Sequence, residues 1–285
     1  MVELLLAIVH GIIQGVTEWL PVSSTAHILL LDEVWKMNAD NPDFFDVFKV
    51  VIQLGSIIAV VLLYFHTLNP FSPKKSSAEK HDTWELWLKI LIASIPAGVV
   101  GLILDDFVDS IERTTMGIVI ISAALMFYGV AFIFLEKRRL PSHDKPISSI
   151  GEISYRRAFA IGIFQMLALI PGTSRSGSTI LGATLIGTSR SVAAEFSFFM
   201  AIPVMLGVSG LKVVKYFLLD GLTFTAHEWL LLVTATLVSF AVSLLVIRGL
   251  MSFVRKHSFA PFGWYRIILG TVVLAVLLID PAIAG

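Results

Sequence analysis

Not one of the 285 residues is cysteine, which excludes thiolate nucleophiles, thiolate metal sites and disulfide staples. Charge is also scarce, at 15% of the chain against roughly 25% in soluble domains. No sign is in excess, since 21 basic residues balance 21 acidic ones, so neither a nucleic acid nor an acidic partner is expected. Met1-Val2-Glu3 carries no basic residue ahead of its apolar run, so that run is expected to be a membrane element and not a cleaved signal peptide. What the chain has in surplus is apolar side chains, 56% of the total. A soluble fold would have to expose them in large patches. Insertion into a bilayer removes the difficulty.

A spanning helix needs about 20 mostly apolar residues. Six segments qualify: 46–66, 84–104, 115–135, 191–211, 229–247 and 263–281. Trp84, Trp87, Trp229, Trp264 and Tyr265 stand at segment ends, where aromatic rings anchor at the headgroup level. Two further apolar stretches are not plain spans. Residues 4–20 carry His10, Gln14 and Glu18 at i, i+4, i+8, on one helix face. Residues 158–171 are short and end at Pro171. Each runs into a polar loop of small residues, Pro21-Val22-Ser23-Ser24-Thr25-Ala26-His27 and Pro171-Gly172-Thr173-Ser174-Arg175-Ser176-Gly177-Ser178-Thr179.

The two regions repeat. Gly11 and Gln14 match Gly162 and Gln165 at an offset of 151, Pro21 matches Pro171 at 150, and Leu54-Gly55 matches Leu206-Gly207 at 152. The single membrane domain 1–285 thus reads as two halves, about 1–140 and 150–285, joined by the charged linker 136–157. Lys and Arg number three in 66–83, six in 136–157 and three in 248–262; 105–114 has only Arg113 among four acids, and 218–228 has none. Basic loops lie on the cytoplasmic side. By the repeat offset, equivalent loops then lie on opposite sides. The expected architecture is an all-α polytopic membrane protein of two inverted-topology repeats, with six full transmembrane helices and two re-entrant segments, 4–31 and 158–190. Such folds place their site near the midplane, between the halves.

A carboxylate inside an apolar segment is costly unless paired or wet, which makes Glu18 the leading functional candidate. His10 reads as a helix-contact residue. Ser23, Ser24, Thr25 and His27 put hydroxyls beside an imidazole suited to take a serine proton. In the second loop, Arg175 offers a permanently charged fork for phosphate oxygens. Gly172 and Gly177 permit backbone bends that aim N–H groups at an anion. Thr173 lies between Gly172 and Arg175, while Ser174, Ser176 and Thr179 add neutral donors, and a helix starting near Ser178 would point its positive end at the loop. A nucleophile, a base and an anion clamp suit phosphoryl transfer. If Ser24 attacks a phosphorus held by Arg175, the two side chains should lie within roughly 4–8 Å.

Gln14-x-x-x-Glu18 with Pro21–His27, and Pro171–Thr179, together resemble the two signature regions of the bacterial undecaprenyl-diphosphate phosphatases, also called bacitracin-resistance proteins. The resemblance covers essentially the whole chain, including Phe44-x-x-x-Phe48-x-x-x-Ile52-Gln53-Leu54-Gly55. It implies hydrolysis of undecaprenyl diphosphate to the C55 monophosphate that carries cell-wall precursors, and with it bacitracin resistance. It further implies the bacterial plasma membrane, with the site open to the periplasmic side. On that resemblance Glu18, Ser24, His27 and Arg175 are catalytic. Gln14, Ser23, Thr25, Gly172, Thr173, Ser174, Ser176, Gly177 and Thr179 bind substrate. Gln14 stands where many members carry Glu, which weakens the case for a two-carboxylate metal site. Ala26 replaces a common Gly, which brings a positive φ there into question.

No covalently bound cofactor is expected. A divalent cation, Mg or Ca, is left open, with Glu18 as its candidate ligand. The expected partners are the polyprenyl diphosphate and membrane lipid, and a homo-oligomer is left open. Whether Ser24 or water attacks, and whether His27 or Glu18 is the base, also stays open at this level. The rival reading is an inverted-repeat transporter or flippase of a lipid phosphate, which would need the Arg175 clamp but not the Ser24, His27 and Glu18 group.

Overall fold

The computed structural model describes residues 2–37, 44–112, 114–137, 146–219, 221 and 223–279, without the side chains at 105, 106, 109, 112 and 219. Arg113, Arg138, Arg139, Lys145 and the four acidic side chains of 105–114 therefore lie outside the described residues, although the loop-charge expectation used them.

The regular structure of the described residues is helical, apart from an isolated bridge between Ile147 and Thr188: α1 Val2–Thr17, α2 Ser24–Val34, α3 Phe44–Leu63, α4 Phe65–Leu68, α5 Ser77–Glu112, α6 Thr115–Lys137, α7 Tyr155–Met166, α8 Arg175–Leu185, α9 Arg190–Val214, α10 Ala226–Val254 and α11 Ala260–Ile279. In hydrocarbon no water serves backbone N–H and C=O groups, so an apolar segment must satisfy them within itself. Among the described residues six helices are long and apolar enough to cross a bilayer: Phe44–Leu63, Ser77–Leu104, Thr115–Lys137, Arg190–Leu218, Ala226–Val254 and Ala260–Ile279. They coincide with the six expected segments. The protein is an all-α, multi-pass membrane protein. Residues 4–31 and 158–190 instead form broken pairs, α1 with α2 and α7 with α8, each interrupted at a proline-led loop.

Helices hold together here through close backbone approach and hydroxyl contacts, since lipid supplies no apolar driving force between them. A Cβ on Gly11 would stand 2.5 Å from the Ala235 carbonyl, and one on Gly129 would stand 2.6 Å from the Gly263 carbonyl. Between α3 and α10, the Ser56 and Ser239 hydroxyls meet at 2.8 Å and Ser243 adds a bond to Ser56 at 3.0 Å. The main neighbours have a pattern. Helix α1 packs on α10 and α7 packs on α5, while α3 meets α9 and α6 meets α11. Gly11 and Gly162, matched in sequence, make equivalent contacts, one against α10 and the other against Ala93 of α5. This arrangement brings both proline-led loops to the same interior region.

Candidate active site

Each loop builds its helix start in the same unusual way. Ser23 and Ser174 sit at φ 74° and 75°, a left-handed conformation uncommon outside glycine. Each caps the helix that follows, Ser23 Oγ accepting from the Ala26 N–H at 3.4 Å and Ser174 Oγ from the Gly177 N–H at 3.0 Å. The turn thus throws the next side chain, Ser24 or Arg175, toward the interior. Helix α8 consequently begins at Arg175 and not near Ser178.

These side chains converge on Glu18, which is 5% exposed. Its Oε2 accepts from Ser24 Oγ at 2.7 Å and from Gln14 Nε2 at 3.0 Å; its Oε1 accepts from Arg175 Nη2 at 3.1 Å. Ser24 and Arg175, 151 residues apart in sequence, share one carboxylate and so lie no more than about 8 Å apart. Arg175 also donates from Nη1 to the Ser197 carbonyl at 2.7 Å and stacks 5.8 Å from the Trp19 ring. Its buried Nε meets no acceptor among the described residues. Ser176 ties the loops together, its hydroxyl lying 3.1 Å from both the Glu18 and Leu20 carbonyls. Thr179 bonds the Arg175 carbonyl at 2.8 Å and Ser197 Oγ at 2.6 Å.

A cavity of about 520 Å³ opens on this cluster. Gln14, Glu18, Ser23, Ser24, Thr25, Gly172, Ser174, Arg175 and Ser176 line it, with Lys49 and Gln53 of α3 and Lys212 of α9. Leu102, Leu169, Val208 and Leu211 make other parts of its wall apolar.

Several expected residues do something else. His27 is not among the described residues lining the cavity. Its Nδ1 faces the Ser23 carbonyl at 2.7 Å and its Nε2 the Tyr265 hydroxyl at 2.7 Å. A carbonyl can only accept, so Nδ1 carries the proton, and in neutral His27 the Tyr265 hydroxyl donates to Nε2. Gly172 does adopt a left-handed φ, 87°, and a Cβ there would meet the Ile121 carbonyl at 2.6 Å. Gly177 does not bend the chain; it lies in the first turn of α8. Its value is space, since a Cβ would crowd Arg266 Nη1 at 3.1 Å. Thr173 is fully buried and contributes its carbonyl. Ala26 is helical, and the left-handed position of that loop is Ser23. His10 is buried against the edges of Phe45 and Phe48, with Nδ1 on the Leu6 carbonyl.

Two residues of α11 belong to the site's frame and were not among the expected ones. Arg266 is fully buried and donates to the Pro21 carbonyl at 3.0 Å and to the Gly172 and Thr173 carbonyls at 2.9 Å each. One guanidinium therefore fastens both loops. Tyr265, expected only as an interfacial anchor, holds His27. A lone arginine inside an otherwise apolar span was the available signal.

The donor set does not build a metal site of the protein's own. Glu18 is the one carboxylate among the described lining residues, and both its oxygens already accept from donors.

Comparison with known proteins settles the family. The family described as bacitracin resistance protein BacA matches residues 7–272. The chain belongs to the BacA family. A relative from Enterococcus faecalis named undecaprenyl-diphosphatase is 52% identical over 94% of this chain and 95% of its own length. One of the same name from Streptococcus thermophilus is 49% identical over 96% of this chain and 93% of its own. An undecaprenyl-diphosphatase 1 from Clostridioides difficile is 51% identical over 96% of each chain. BacA membership thus extends over both halves and both loops.

Proposed function

We propose that this protein is an undecaprenyl-diphosphate phosphatase, releasing the terminal phosphate and returning the C55 monophosphate for cell-wall synthesis. Full-length similarity to relatives of that name supports the reading. The observation that carries it is the Glu18 carboxylate, with the Ser24 hydroxyl on one oxygen and the Arg175 guanidinium on the other. A serine becomes a nucleophile when a positioned base takes its proton, and Glu18 is the base in hydrogen-bond reach. Arg175 supplies a fork for phosphate oxygens, and the apolar parts of the cavity suit a polyprenyl chain.

In this reading the terminal phosphate docks between Ser24 and Arg175. Ser24 Oγ attacks phosphorus and passes its proton to Glu18. The bond from that phosphorus to the bridging oxygen breaks, and the lipid monophosphate leaves with the electron pair. Water then attacks the phosphorus of the phosphoserine, the bond from phosphorus to Ser24 Oγ breaks, and Oγ takes back the proton from Glu18, which frees inorganic phosphate and restores the carboxylate. Catalysis of this kind is mostly positioning and charge stabilisation. His27, held by Tyr265 and the Ser23 carbonyl, fixes the turn that aims Ser24. A divalent cation, Mg or Ca, would enter with the substrate's own phosphates, since both Glu18 oxygens already accept from Ser24, Gln14 and Arg175.

The same reading takes the halves as inverted repeats, with 4–31 and 158–190 re-entrant and the cavity open to the periplasmic face of the bacterial plasma membrane. The exchange of helix neighbours between halves supports it, as does the shared capping turn. Labelling that put 66–83 and 218–228 on the same side would defeat it. A carrier of lipid phosphates would need Arg175 and the cavity but not the Ser24–Glu18 contact. The test is phosphate release from undecaprenyl diphosphate by purified protein in detergent, where no transport is measurable. Release by wild type that Ser24→Ala abolishes is the expected result. An inactive wild type would overturn the enzymatic reading.

A further inference from the structure

Gln165 holds in α7 the place that Gln14 holds in α1, at the repeat offset of 151. Their surroundings differ. The Gln14 amide donates to Glu18 at 3.0 Å, but the residue 151 positions beyond Glu18 is Leu169, which offers no acceptor. Gln165 is 1% exposed and lines the cavity. Neither its Nε2 nor its Oε1 meets a partner among the described residues. Buried amides without partners are rare because desolvation goes uncompensated. The remaining source of a partner is whatever fills the cavity, water before substrate binds and substrate after.

The wall around Gln165 indicates which part of the occupant lies there. Ala168 and Leu169 follow it on its own chain, and Gly98 and Gly101 of α5 face the same cavity. A Cβ on Gly98 would meet nothing within 4 Å. Among the described residues this stretch is roomy and apolar but for the Ser94 hydroxyl, which already donates to the Ile90 carbonyl, and it lies next to the Gln165 amide. The terminal phosphate already has Arg175. The phosphate that stays on the lipid has no donor assigned, and it must sit where the chain begins.

We propose that Gln165 is a substrate-binding residue whose Nε2 donates to the lipid-linked phosphate, the group that departs. This deepens the phosphatase reading and rests on it. In the reaction, negative charge grows on that phosphate as the bridging bond breaks, so the bond strengthens toward the transition state.

The test uses full-length protein in detergent, Gln165→Leu, and two inhibitors that report on different ends of the site. Polyprenyl monophosphate carries the group Gln165 would hold; inorganic phosphate carries only what Arg175 would hold. The expected result is about a tenfold to hundredfold weaker inhibition by polyprenyl monophosphate, with inhibition by inorganic phosphate unchanged. Melting temperature should match or exceed wild type, because the substitution removes two unpaired buried polar atoms. If neither inhibitor weakens, Gln165 does not touch the lipid phosphate. If both weaken equally, it only shapes the cavity, and the proposal is overturned. A wild type that releases no phosphate while still binding polyprenyl monophosphate through Gln165 would fault the phosphatase reading and leave the contact standing.

Discussion

The two proline-led loops share a backbone and divide the chemistry. In both, a serine in the left-handed region caps the following helix, Ser23 for α2 and Ser174 for α8. The next residue is Ser24 in one and Arg175 in the other, and the wall behind carries Glu18 in one and Leu169 in the other. One loop therefore brings a hydroxyl against a carboxylate, and the other brings a cation. Neither half is complete alone, since Glu18 bonds to both. A shared loop geometry with unequal side chains makes an asymmetric site, which suits the proposed diphosphate with its one reacting end.

The sharpest way to break this division is Glu18→Gln, which keeps shape and removes the charge. Phosphate release should fall by about 10³–10⁴, since general base catalysis accounts for about 10²–10⁴ and Arg175 is disturbed as well. The buried guanidinium also loses its counter-ion, which should destabilise the protein by about 3–5 kcal/mol. A Glu18→Gln/Arg175→Met double variant should recover part of that stability in thermal unfolding while staying inactive. Recovery of activity along with stability would mean that Glu18 serves packing and not proton transfer.

On the other loop, Arg175→Lys retains charge but not the planar fork that reaches both the Ser197 carbonyl and Glu18. Loss of about 10²–10³ in kcat/KM is expected, on the order of 2–4 kcal/mol of transition-state stabilisation. Activity within about threefold of wild type, roughly 0.65 kcal/mol, would move the anion clamp elsewhere.

The shared frame can be tested apart from the chemistry. Ser23→Gly and Ser174→Gly lose the cap but relieve the strain of a Cβ at positive φ, so each should change stability by no more than a few tenths of a kcal/mol. Ser23→Ala and Ser174→Ala keep the strain that the serine Cβ already carries and lose the cap, for about 1 kcal/mol each. Matching results at the two positions, read from thermal unfolding, would show that the loops are equivalent as scaffolds. A large cost at only one of them would break the equivalence.

The six spans were legible because they need only length and apolar composition, and Glu18, Ser24 and Arg175 because a charge or a hydroxyl cluster stands out in such a chain. The left-handed serines were not legible. That conformation is ordinary for Gly and unusual for Ser, so the pattern points to Gly172 and Gly177, of which Gly172 adopts it and Gly177 is helical. Arg266 was passed over because the apolar run around it satisfied the criterion for a span, although an arginine at that depth needs partners. Its partners are backbone carbonyls from loops 245 and 94 residues away in sequence, and no local pattern announces them. Tyr265 was explained too soon by the habit of aromatic rings at span ends.

Tyr265→Phe should give the smallest effect and still sharpens the comparison. The hydroxyl lies 2.7 Å from His27 Nε2, and His27 Nδ1 lies 2.7 Å from the carbonyl of Ser23, the residue that turns Ser24 inward. Ser174 has no such brace: the position equivalent to His27 is Ser178, whose hydroxyl bonds the Arg175 carbonyl at 3.1 Å within its own helix. Removing the Tyr265 hydroxyl leaves the ring, its near-parallel contact with His27 at 5.7 Å, and the fold. A lost hydrogen bond of this kind is worth about 0.5–1.5 kcal/mol, or roughly 2–12-fold in rate. Because the brace acts on Ser24 and not on Arg175, kcat should fall while inhibition by inorganic phosphate stays the same. If phosphate inhibition weakened instead, Tyr265 would be acting on the second loop through its neighbour Arg266, and the brace on the first loop would be incidental.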